Sequence, residues 1–590
     1  MEKWVVSAKR ADFRKIAEQF HIDQVIARLI RNRDIMTEED IEVYLNGSLL
    51  HLHSPWLMKG MEKAVEILIG KIDAQKKIRI IGDYDIDGVT STYLLLRGIL
   101  RCGGVVDYEI PDRIRDGYGV NRNLIEQAYE EGVDTILTCD NGISATEQIE
   151  YAKRLGMTVI VTDHHELRME ERDGELEAVI PGADAVINPH QPGCGYPYKN
   201  LCGAAVAYKL VTALYERMGI PEEESEKLIQ FAAFATVGDV MDLTGENRIL
   251  VREGLIQLNQ TDNPGLRALI QVNGLEGKNI NSYHIGFILG PCINASGRLD
   301  TAKRALELLL TESEIEATEI AEELLQLNVR RKEMTLEGYE KAVDLIEHSS
   351  LKDDKVLVIY LPECHESLAG IIAGRIRERY YRPVFVLTDA EHCVKGSGRS
   401  IEAYPMFAEM QKCGELFLNY GGHPMAAGCS LEKKNVEILR KKLNELTTLT
   451  EEDLVQKIVI DVPMPIDYIS ERLIEELDLL EPFGKGNPKP VFADRNLDFL
   501  SARVMGQNRN VLKFQVANQS GKVMDAVYFG DVDEFRRKLE EWFGYTETEK
   551  LYQGRKNSVT LSVIYYPSIN EFREVRTTQI IIQNFCKGSV

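Results

Sequence analysis

Short runs of β-branched residues, each followed by a helix-like stretch, constrain the fold of this chain more than any other feature. Between Lys77 and Asn188 the runs are KIRIIGDYD, GVVDYEI, DTILTCD, MTVIVTD and DAVINP, and stretches such as NRNLIEQAYEEG separate them. This alternation predicts a mostly parallel sheet. Four of the runs end on an acidic residue or on Asn-Pro-His, at the carboxyl edge where open α/β sheets bind ligands. We therefore expect a polar site built from several strand ends.

The remainder of the chain divides into segments of different pattern. A chain of 590 residues is too long for one hydrophobic core, and domains of about 150 residues suggest three or four of them. We predict a helical lead-in at 1–75, a catalytic α/β domain at 76–245, a helical region ending in a long connecting helix at 246–350, a second α/β domain at 351–452 and a small OB-type barrel at 453–590. In the second α/β domain, GSGRS and NYGGHPMAAG are predicted to be glycine-rich loops.

Composition and charge restrict the class of protein. The net charge of −23 argues against a nonspecific nucleic-acid coat protein, so any nucleic-acid site must be a local basic channel. The N-terminus MEKWVVSAKRADFRK lacks the apolar core of a signal peptide, and no run approaches the roughly 18 apolar residues of a membrane span, so we expect a cytoplasmic protein. Ten cysteines without a CxxC pair indicate reduced thiols. Without a Walker loop, an ATP-driven motor has no support.

The first acidic strand end, GDYDIDG, places Asp83, Asp85 and Asp87 at alternating positions. In a regular strand, alternation directs all three side chains the same way, and like charges so close call for a cation such as Mg²⁺ or Mn²⁺. Gly88 permits a tight turn at the strand end. Asp-rich turns also occur on solvated surfaces and in calcium loops, so this motif alone leaves a solvated turn open.

Further polar groups follow the later strands. Asp140 lies in TCDNG, and Asp163, His164 and His165 lie in VTDHHE. Imidazole with carboxylates suits Mn²⁺ or another transition ion, and Asp163 could fix the tautomer of a histidine. Asp239, after the apolar run FATVG, would be costly to bury without a cation. Considered alone, His164 and His165 could also be an ordinary pair of loop residues, and Asp239 could be a surface residue at the end of a helix.

Together these positions indicate two-metal chemistry. Two divalent ions about 4 Å apart can clamp a phosphodiester, activate a water and stabilise the leaving oxygen. The implied reaction is hydrolysis of a phosphoester.

Ordered motifs along the chain resemble the DHH superfamily of phosphoesterases, and within it the exonucleases that degrade single-stranded DNA. The motifs GDYDIDGVTST, PDRIRDGYGVN, TCDNGIS, VTDHHE, INPHQPGCGYPYKNLCGAAVAYKL and ATVGDVMDL are similar to those of the DHH domain. The segments NASGRLDTAKRALELLL, HESLAGIIAGRI, GSGRS and GGHPMAAG resemble the DHH-associated domain, and EPFGKGNPKPVF resembles the start of an OB-like domain. The resemblance runs from about residue 3 to the C-terminus.

The resemblance implies an α/β fold. It consists of a DHH phosphoesterase core on a parallel sheet, a second α/β DHH-associated domain joined by a long helix, and a C-terminal OB-like β-barrel. The implied activity is hydrolysis of single-stranded DNA in the 5′ to 3′ direction to mononucleotides, in recombination and repair, with two divalent ions, Mn²⁺ or Mg²⁺. We expect a monomer, with a single-strand-binding protein and a helicase as candidate partners.

The resemblance also implies roles for individual residues. The implied metal ligands are Asp85, Asp87, Asp140, His164 and Asp239. The implied catalytic residues are His165, near the scissile phosphate, together with Asp163 and Asp83. The implied substrate contacts are Arg113, Arg298, Ser397 and Arg399, on the 5′-terminal phosphate, and His423. In HESLAG, Ser367 stands where this family is expected to have glycine.

Two alternatives remain open. One is a DHH phosphodiesterase for very short RNAs or cyclic dinucleotides, which the length of this chain disfavours because such enzymes need little beyond two lobes. The other is a DNA-binding scaffold of the same fold that has lost its metal site. The presence of every acidic and histidine position disfavours the scaffold, and function belongs to the site rather than to the fold.

Overall fold

The structure is a computed structural model that describes residues 2–113, 119–172, 175–506, 509–572 and 575–588. The chain forms two compact units, one of residues 48–455 and one of residues 1–47 with 456–590. Within the described residues, no helix is both long and apolar enough to cross a membrane.

The described residues contain the following elements. The strands are β1 (Glu2–Val6), β2 (Lys77–Ile81), β3 (Val105–Glu109), β4 (Thr135–Cys139), β5 (Thr158–Thr162), β6 (Met169–Arg172), β7 (Glu175–Ala178), β8 (Ala185–Ile187), β9 (Leu357–Tyr360), β10 (Val384–Asp389), β11 (Val394–Arg399), β12 (Phe417–His423), β13 (Ala426–Leu431), β14 (Gln456–Ile460), β15 (Val462–Pro463), β16 (Phe492–Met505), β17 (Val511–Ala517), β18 (Val523–Phe529), β19 (Thr560–Phe572) and β20 (Val575–Cys586). The α-helices are α1 (Phe13–Phe20), α2 (Gln24–Asn32), α3 (Glu38–Asn46), α4 (Met61–Asp73), α5 (Ile86–Arg101), α6 (Arg122–Glu130), α7 (Thr146–Arg154), α8 (Gly203–Met218), α9 (Glu222–Glu226), α10 (Ile229–Gly238), α11 (Gly245–Leu258), α12 (Pro264–Val272), α13 (Ser282–His284), α14 (Gly290–Leu299), α15 (Lys303–Leu310), α16 (Glu314–Glu347), α17 (Ala369–Tyr380), α18 (Met406–Gln411), α19 (Val436–Leu446), α20 (Glu471–Leu477), α21 (Val532–Phe543) and α22 (Tyr545–Tyr552). A π-helix, Ile285–Leu289, joins α13 to α14.

The predicted parallel sheet is confirmed. Its order is β3-β2-β4-β5-β8, and every neighbouring pair is parallel. Side chains alternate between two helical layers, so that Ile160 packs in the core with α4, α5 and α8 while Val159 and Val161 pack in the core with α6 and α7. Burial on both faces explains the nearly continuous apolar runs. All five strands end at the same edge of the sheet, where the predicted site residues follow.

A long helix and a second sheet complete this unit. The helix α16 has 34 residues, as the predicted connecting helix requires, and the second sheet has the order β12-β13-β11-β10-β9. The prediction that GSGRS and NYGGH are loops is wrong, because they form β11 and β12. Their glycines allow close packing: a β-carbon at Gly398 would lie 2.4 Å from Met406 Sδ.

The other unit is a closed barrel with helices against it. Its sheet has the order β15-β16-β17-β18-β20-β19, and a further pairing of β16 with β19 closes the ring. The helices α1, α2 and α3 share the core of this barrel. Within the segment predicted as a helical lead-in at 1–75, residues Glu2–Val6 form β1, which pairs in parallel with β14, and residues 1–47 belong to this unit. The buried Asn487 of the EPFGKGNP motif accepts hydrogen bonds from Arg33 (2.7 Å) and Tyr44 (3.0 Å).

Candidate metal centre

The first acidic motif forms a turn and the start of a helix. The strand β2 ends at Ile81, and Asp85 caps α5 by accepting hydrogen bonds from the backbone N–H groups of Asp87 (3.0 Å) and Gly88 (3.1 Å). The prediction that the three aspartates alternate along a regular strand is therefore wrong, because an aspartate at an N-cap favours a helix start. A β-carbon at Gly88 would lie 2.5 Å from the backbone of Asp83, so glycine is needed for this close approach.

The first turn of α8 holds Asp87. Its carboxylate oxygens accept hydrogen bonds from the backbone N–H groups of Gly203 (2.6 Å) and Ala204 (2.7 Å). The N–H groups at a helix start carry partial positive charge, which stabilises a buried carboxylate. Asp140 packs on the same turn, because a β-carbon at Gly203 would lie only 2.7 Å from Asp140 Cβ. Gly203 thus allows two acidic side chains to meet.

The ends of β4 and β5 supply Asp140 and Asp163. Asp140 has a left-handed backbone with φ of 60°, which aspartate adopts more readily than most residues. Asp163 is buried and accepts hydrogen bonds from the backbone N–H groups of Ile143 (2.9 Å), His164 (2.7 Å) and His165 (3.1 Å). Burial raises the pKa of Asp163, but the hydrogen bond and charge of His165, together with the charge of His164 and the N–H of Ile143, outweigh burial, and the net pKa lies below its ordinary value.

His164 lies among three of the aspartates. Its Nε2 atom is 3.1 Å from Asp140 Oδ1, 3.5 Å from Asp87 Oδ2 and 4.0 Å from Asp239 Oδ2. Burial lowers the pKa of His164, which favours the neutral ring that metal ligation requires. Asp239 caps the C-terminus of α10 and is partly buried. The structure therefore places it at a helix end and also brings it to His164.

Among the described residues, three sets of side chains have ligand atoms close enough to hold cations. Within 4.8 Å of one another are the atoms of Asp83, Asp85 and Asp140, those of Asp140, His164 and His165, and those of Asp87, His164 and Asp239. Burial, followed by the neighbouring carboxylates, raises the pKa of Asp83 and of Asp140 well above the usual range. The buried Oδ1 atom of Asp83 has no hydrogen-bond partner among the described residues. Oxygen and imidazole ligands without thiolates fit two Mn²⁺ or Mg²⁺ ions, which would offset this repulsion.

His165 is oriented from two sides. Its Nδ1 atom lies 2.7 Å from Asp163 Oδ1, and Asn188 donates a hydrogen bond to its backbone carbonyl (2.9 Å). Burial opposes protonation of the ring, but the hydrogen bond and charge of Asp163, together with the charges of Asp87 and Asp239, outweigh burial and raise the pKa of His165 to about 9. The side chain is 45% exposed, so His165 is the histidine of the pair that can face a substrate. The sequence assigned Asn188 no role, although the Asn-Pro-His strand end had marked it as polar.

Two arginines lie beside the acidic turn. The guanidinium of Arg113 stacks over the Tyr84 ring at 4.8 Å. Arg298, near the end of α14, donates a hydrogen bond to the backbone carbonyl of Ser367 (2.8 Å). Burial, and then the charge of Arg113, lowers the pKa of Arg298 to about 10. Two neighbouring guanidinium groups suit a phosphate. The motif PDRIRDGYGVN continues through 114–118, which lie outside the described residues.

The second sheet supplies the other predicted substrate contacts. Ser397 and Arg399 lie two residues apart on β11 and therefore on the same face. A β-carbon at Gly370, in the first turn of α17, would lie 2.9 Å from Arg399 Nη2 and 3.5 Å from Ser397 Cβ. The structure thus brings Ser397 and Arg399 together at the start of this helix. His423 ends β12, is exposed, and accepts a hydrogen bond from the backbone N–H of Met425 (3.4 Å).

Ser367, just before α17, forms hydrogen bonds with Arg298, near the end of α14. Its hydroxyl donates a hydrogen bond to the Arg298 carbonyl (3.1 Å) and lies 2.7 Å from His365 Nδ1. Arg298 in turn donates to the Ser367 carbonyl, so the contact is reciprocal. A glycine at this position could not make the hydroxyl contacts. The sequence identified Ser367 as a departure from the family pattern but gave it no function.

The fold and the ligand sets define a DHH phosphoesterase. Three family models match the chain: the DHH family, N-terminal domain, at residues 77–236, the DHHA1 domain at residues 353–448 and the RecJ OB domain at residues 460–584. The last of these models is named for RecJ.

The chain belongs to the RecJ family, which confirms the resemblance drawn from the motifs. It is 34% identical over 587 residues to the single-stranded-DNA-specific exonuclease RecJ of Bacillus subtilis, covering 99% of this chain and 70% of that protein. It is also 34% identical over 583 residues to the Escherichia coli protein of the same name, with 95% of each covered. The crystal structure of RecJ from Thermus thermophilus in complex with Mn²⁺ has a TM-score of 0.82 at 26% identity, covering 100% of this chain and 80% of that one.

Proposed function

We propose that this protein is a metal-dependent exonuclease that hydrolyses single-stranded DNA from its 5′ end to mononucleotides, in recombination and repair. One observation carries the proposal: among the described residues, three potential cation-binding sets are linked by Asp140 and His164, each of which belongs to two of the sets, and arginines lie next to them. Relatives covering most of the chain are named single-stranded-DNA-specific exonucleases. When bound, two divalent ions supply a nucleophile at neutral pH and stabilise the charge on the leaving oxygen.

The residues of the chain divide the remaining tasks. Asp83, Asp85, Asp87, Asp140, His164 and Asp239 hold the cations. His165, held by Asp163 at 2.7 Å and partly exposed, donates a hydrogen bond to the scissile phosphate. A protonated ring suits this task, because hydrogen bonds from cationic donors to phosphate are the stronger kind.

The arginines explain the 5′ to 3′ direction of degradation. Arg113 and Arg298 approach from the first lobe, and Ser397 and Arg399 approach from the second sheet. A guanidinium fork recognises a terminal phosphate bidentately, so these residues hold a 5′-phosphorylated end at a fixed distance from the cations. His423, on a glycine-rich hairpin of the same sheet, is a further contact to the strand.

The proposed activity can be tested with single strands labelled at either end, incubated with Mn²⁺. We expect stepwise release of mononucleotides from the 5′ end only, and no cleavage of a blunt duplex. Cleavage confined to dinucleotides would identify a small-substrate phosphodiesterase instead. Binding of single strands without cleavage in Mn²⁺ or Mg²⁺ would identify a scaffold.

The Arg399→Gln variant is expected to lose the preference for a 5′ phosphate. A hydrogen bond to a charged group contributes about 1.5–3 kcal/mol, so kcat/KM on 5′-phosphorylated strands should fall by about 10- to 100-fold. Strands with a 5′ hydroxyl should be cleaved at the wild-type rate. Arg379→Gln, at an exposed position on α17, is the matched control. An equal loss on both kinds of strand would contradict the assignment of Arg399.

The Ser367→Ala variant is expected to weaken the same site indirectly. It removes the hydroxyl that contacts the Arg298 carbonyl and leaves both backbone carbonyls in place, so about 1 kcal/mol is lost. We expect a rise in KM of about 5-fold for 5′-phosphorylated strands, with kcat unchanged, and recovery in Ser367→Thr. Steady-state kinetics measure both constants. A fall in kcat without a change in KM would show that Ser367 acts elsewhere.

The proposal extends to organisation in the cell. The first sheet carries the chemistry, the second sheet holds the 5′ end, and the barrel supplies a further surface for binding single strands. We propose a cytoplasmic monomer that takes strands from a helicase and a single-strand-binding protein. Size-exclusion chromatography with light scattering tests the first point, and a pull-down with purified single-strand-binding protein and helicase tests the second.

A further inference from the structure

We propose that Tyr283 and Phe287 form a stacking platform for a nucleobase on the 3′ side of the scissile phosphate. This inference rests on the proposed function, because it assigns a binding surface to the same DNA strand. No role for either residue followed from the sequence motifs.

Two aromatic rings lie stacked on the surface of the unit that carries the metal centre. Tyr283 is 60% exposed and Phe287 is 68% exposed. Their ring centroids are 5.0 Å apart with an interplanar angle of 29°. An exposed pair of large apolar rings gains little from folding, since it remains in contact with water. Such a surface is explained if a ligand covers it.

The two rings lie near the C-terminal end of α10, where the proposed metal ligand Asp239 is located. Phe287 lies in the π-helix at Ile285–Leu289. A β-carbon at Gly286 would lie 3.8 Å from Val237 Cγ1, and one at Gly290 would lie 3.8 Å from Gly238 Cα. Gly238 is followed by Asp239, whose Oδ2 atom lies 4.0 Å from His164 Nε2. π-Helical turns are rare and are frequent at functional sites.

The helix α14 then gives the direction of the strand. At its N-terminal end Gly290 packs near Gly238, and at its C-terminal end Gly297 packs on Tyr84, because a β-carbon there would lie 2.0 Å from the Tyr84 carbonyl oxygen. Arg298 follows immediately. With a rise of about 1.5 Å per residue, Gly290 and Arg298 are separated by about 12 Å along the helix.

A strand bound beside α14 therefore has a defined course. Its terminal phosphate lies at the Arg298 end, and its scissile phosphate lies at the metal ligands. The 3′ continuation leaves past the Gly290 end, where α13 carries Tyr283 and the π-helix carries Phe287. A nucleobase is the apolar group that such a strand offers there.

Stacking also agrees with the chemistry of the substrate class. Every base has a π-face, so stacking on aromatic side chains is tolerant of sequence, and each base contributes about 1–3 kcal/mol. An exonuclease that advances along any sequence needs such tolerance. The platform needs no positive charge, which suits a chain with a net charge of −23.

The test combines a double variant with abasic substrates. A set of 5′-phosphorylated strands carries a single abasic residue at successive positions from the 5′ end, and KM is measured for the wild type and for Tyr283→Ala/Phe287→Ala. For the wild type we expect one position at which the abasic residue raises KM by about 10-fold. In the double variant, intact and abasic strands should have the same KM, equal to that of the wild type on the abasic strand.

Two controls sharpen this experiment. Tyr129→Ala removes another exposed tyrosine, 52% exposed on α6, and should retain the abasic effect. Tyr283→Phe/Phe287→Tyr keeps both rings and should also retain it. If the double alanine variant still discriminates the abasic strand, or if no abasic position affects the wild type, the platform is wrong. Failure of the wild type to degrade any intact strand would instead overturn the proposed exonuclease function.

Discussion

Asp140→Asn is expected to abolish metal-dependent cleavage of single-stranded DNA. Asp140 belongs to two of the three cation-binding sets, so the loss of its charge weakens both. Residues that merely orient metal ligands typically contribute about 10- to 100-fold, and we expect a loss on the order of 10³-fold or more for a shared ligand. Asparagine is the appropriate replacement because it tolerates the left-handed backbone at this position. Initial rates at saturating Mn²⁺ measure the effect.

The same substitution should stabilise the metal-free protein. Asp140 is surrounded by the carboxylates of Asp87, Asp85 and Asp83, which together with burial raise its pKa. Removing one charge relieves this repulsion, so the melting temperature in chelator should rise by a few degrees. Added Mn²⁺ should then stabilise the variant much less than the wild type.

Asp73→Asn, at an exposed position at the end of α4, provides the control for Asp140→Asn. It should change neither activity nor the Mn²⁺-dependent rise in melting temperature. An Asp140→Asn protein that kept substantial activity, or kept the full stabilisation by Mn²⁺, would show that the cations bind elsewhere.

Gly203→Ala is expected to have the second-largest effect although it adds only one methyl group. The new β-carbon would lie 2.7 Å from Asp140 Cβ and 2.9 Å from its Oδ1 atom, which is too close. Either Asp140 or the start of α8 must move, and α8 also holds Asp87 through its N–H groups. We expect activity to fall by about 100-fold, comparable with the loss of a group that orients metal ligands. Overpacking should cost about 1–3 kcal/mol of stability.

Gly70→Ala is the matched control. Gly70 lies in α4, and a β-carbon there would meet no heavy atom within 4 Å. Alanine should therefore stabilise the helix by about 0.5–1 kcal/mol and leave activity unchanged. Comparing urea unfolding with initial rates separates the two effects. A Gly203→Ala protein with wild-type activity would show that the close packing of Asp140 on α8 has no functional consequence.

The sequence was sufficient for the parts of the structure that depend on local pattern. The strands β2, β3, β4, β5 and β8 match the β-branched runs, because parallel strands buried on both faces require such runs. Since parallel strands end at one edge, the prediction that Asp140 and His164 converge follows without coordinates. The long helix α16 was likewise visible in its length and charge pattern.

Features that depend on distant contacts were not predictable. The aspartates of GDYDIDG meet because Asp85 caps a helix and Asp87 binds the start of α8, 116 residues further along the chain, whereas the alternation rule assumed a continued strand. Glycines in GSGRS resemble a loop in isolation, yet Gly398 is required for packing within β11. Asn188 and Gly203 act through the residues that they position, so the sequence marked Asn188 only as a polar strand end and gave no sign of a role for Gly203.

The pairing of β1 with β14 has a consequence for how the protein is made. Residues 1–47 are synthesised before residues 48–455, but the segment with which they share a core begins only at residue 456. At synthesis rates of about 5–20 residues per second, the N-terminal segment waits about 20 to 80 s for its partner. The unit of 48–455 can fold during that interval, whereas α1, α2 and α3 must keep their apolar faces from aggregating. Premature termination near residue 455 would therefore release a chain that contains the candidate metal ligands but leaves the apolar faces of residues 1–47 without their partner.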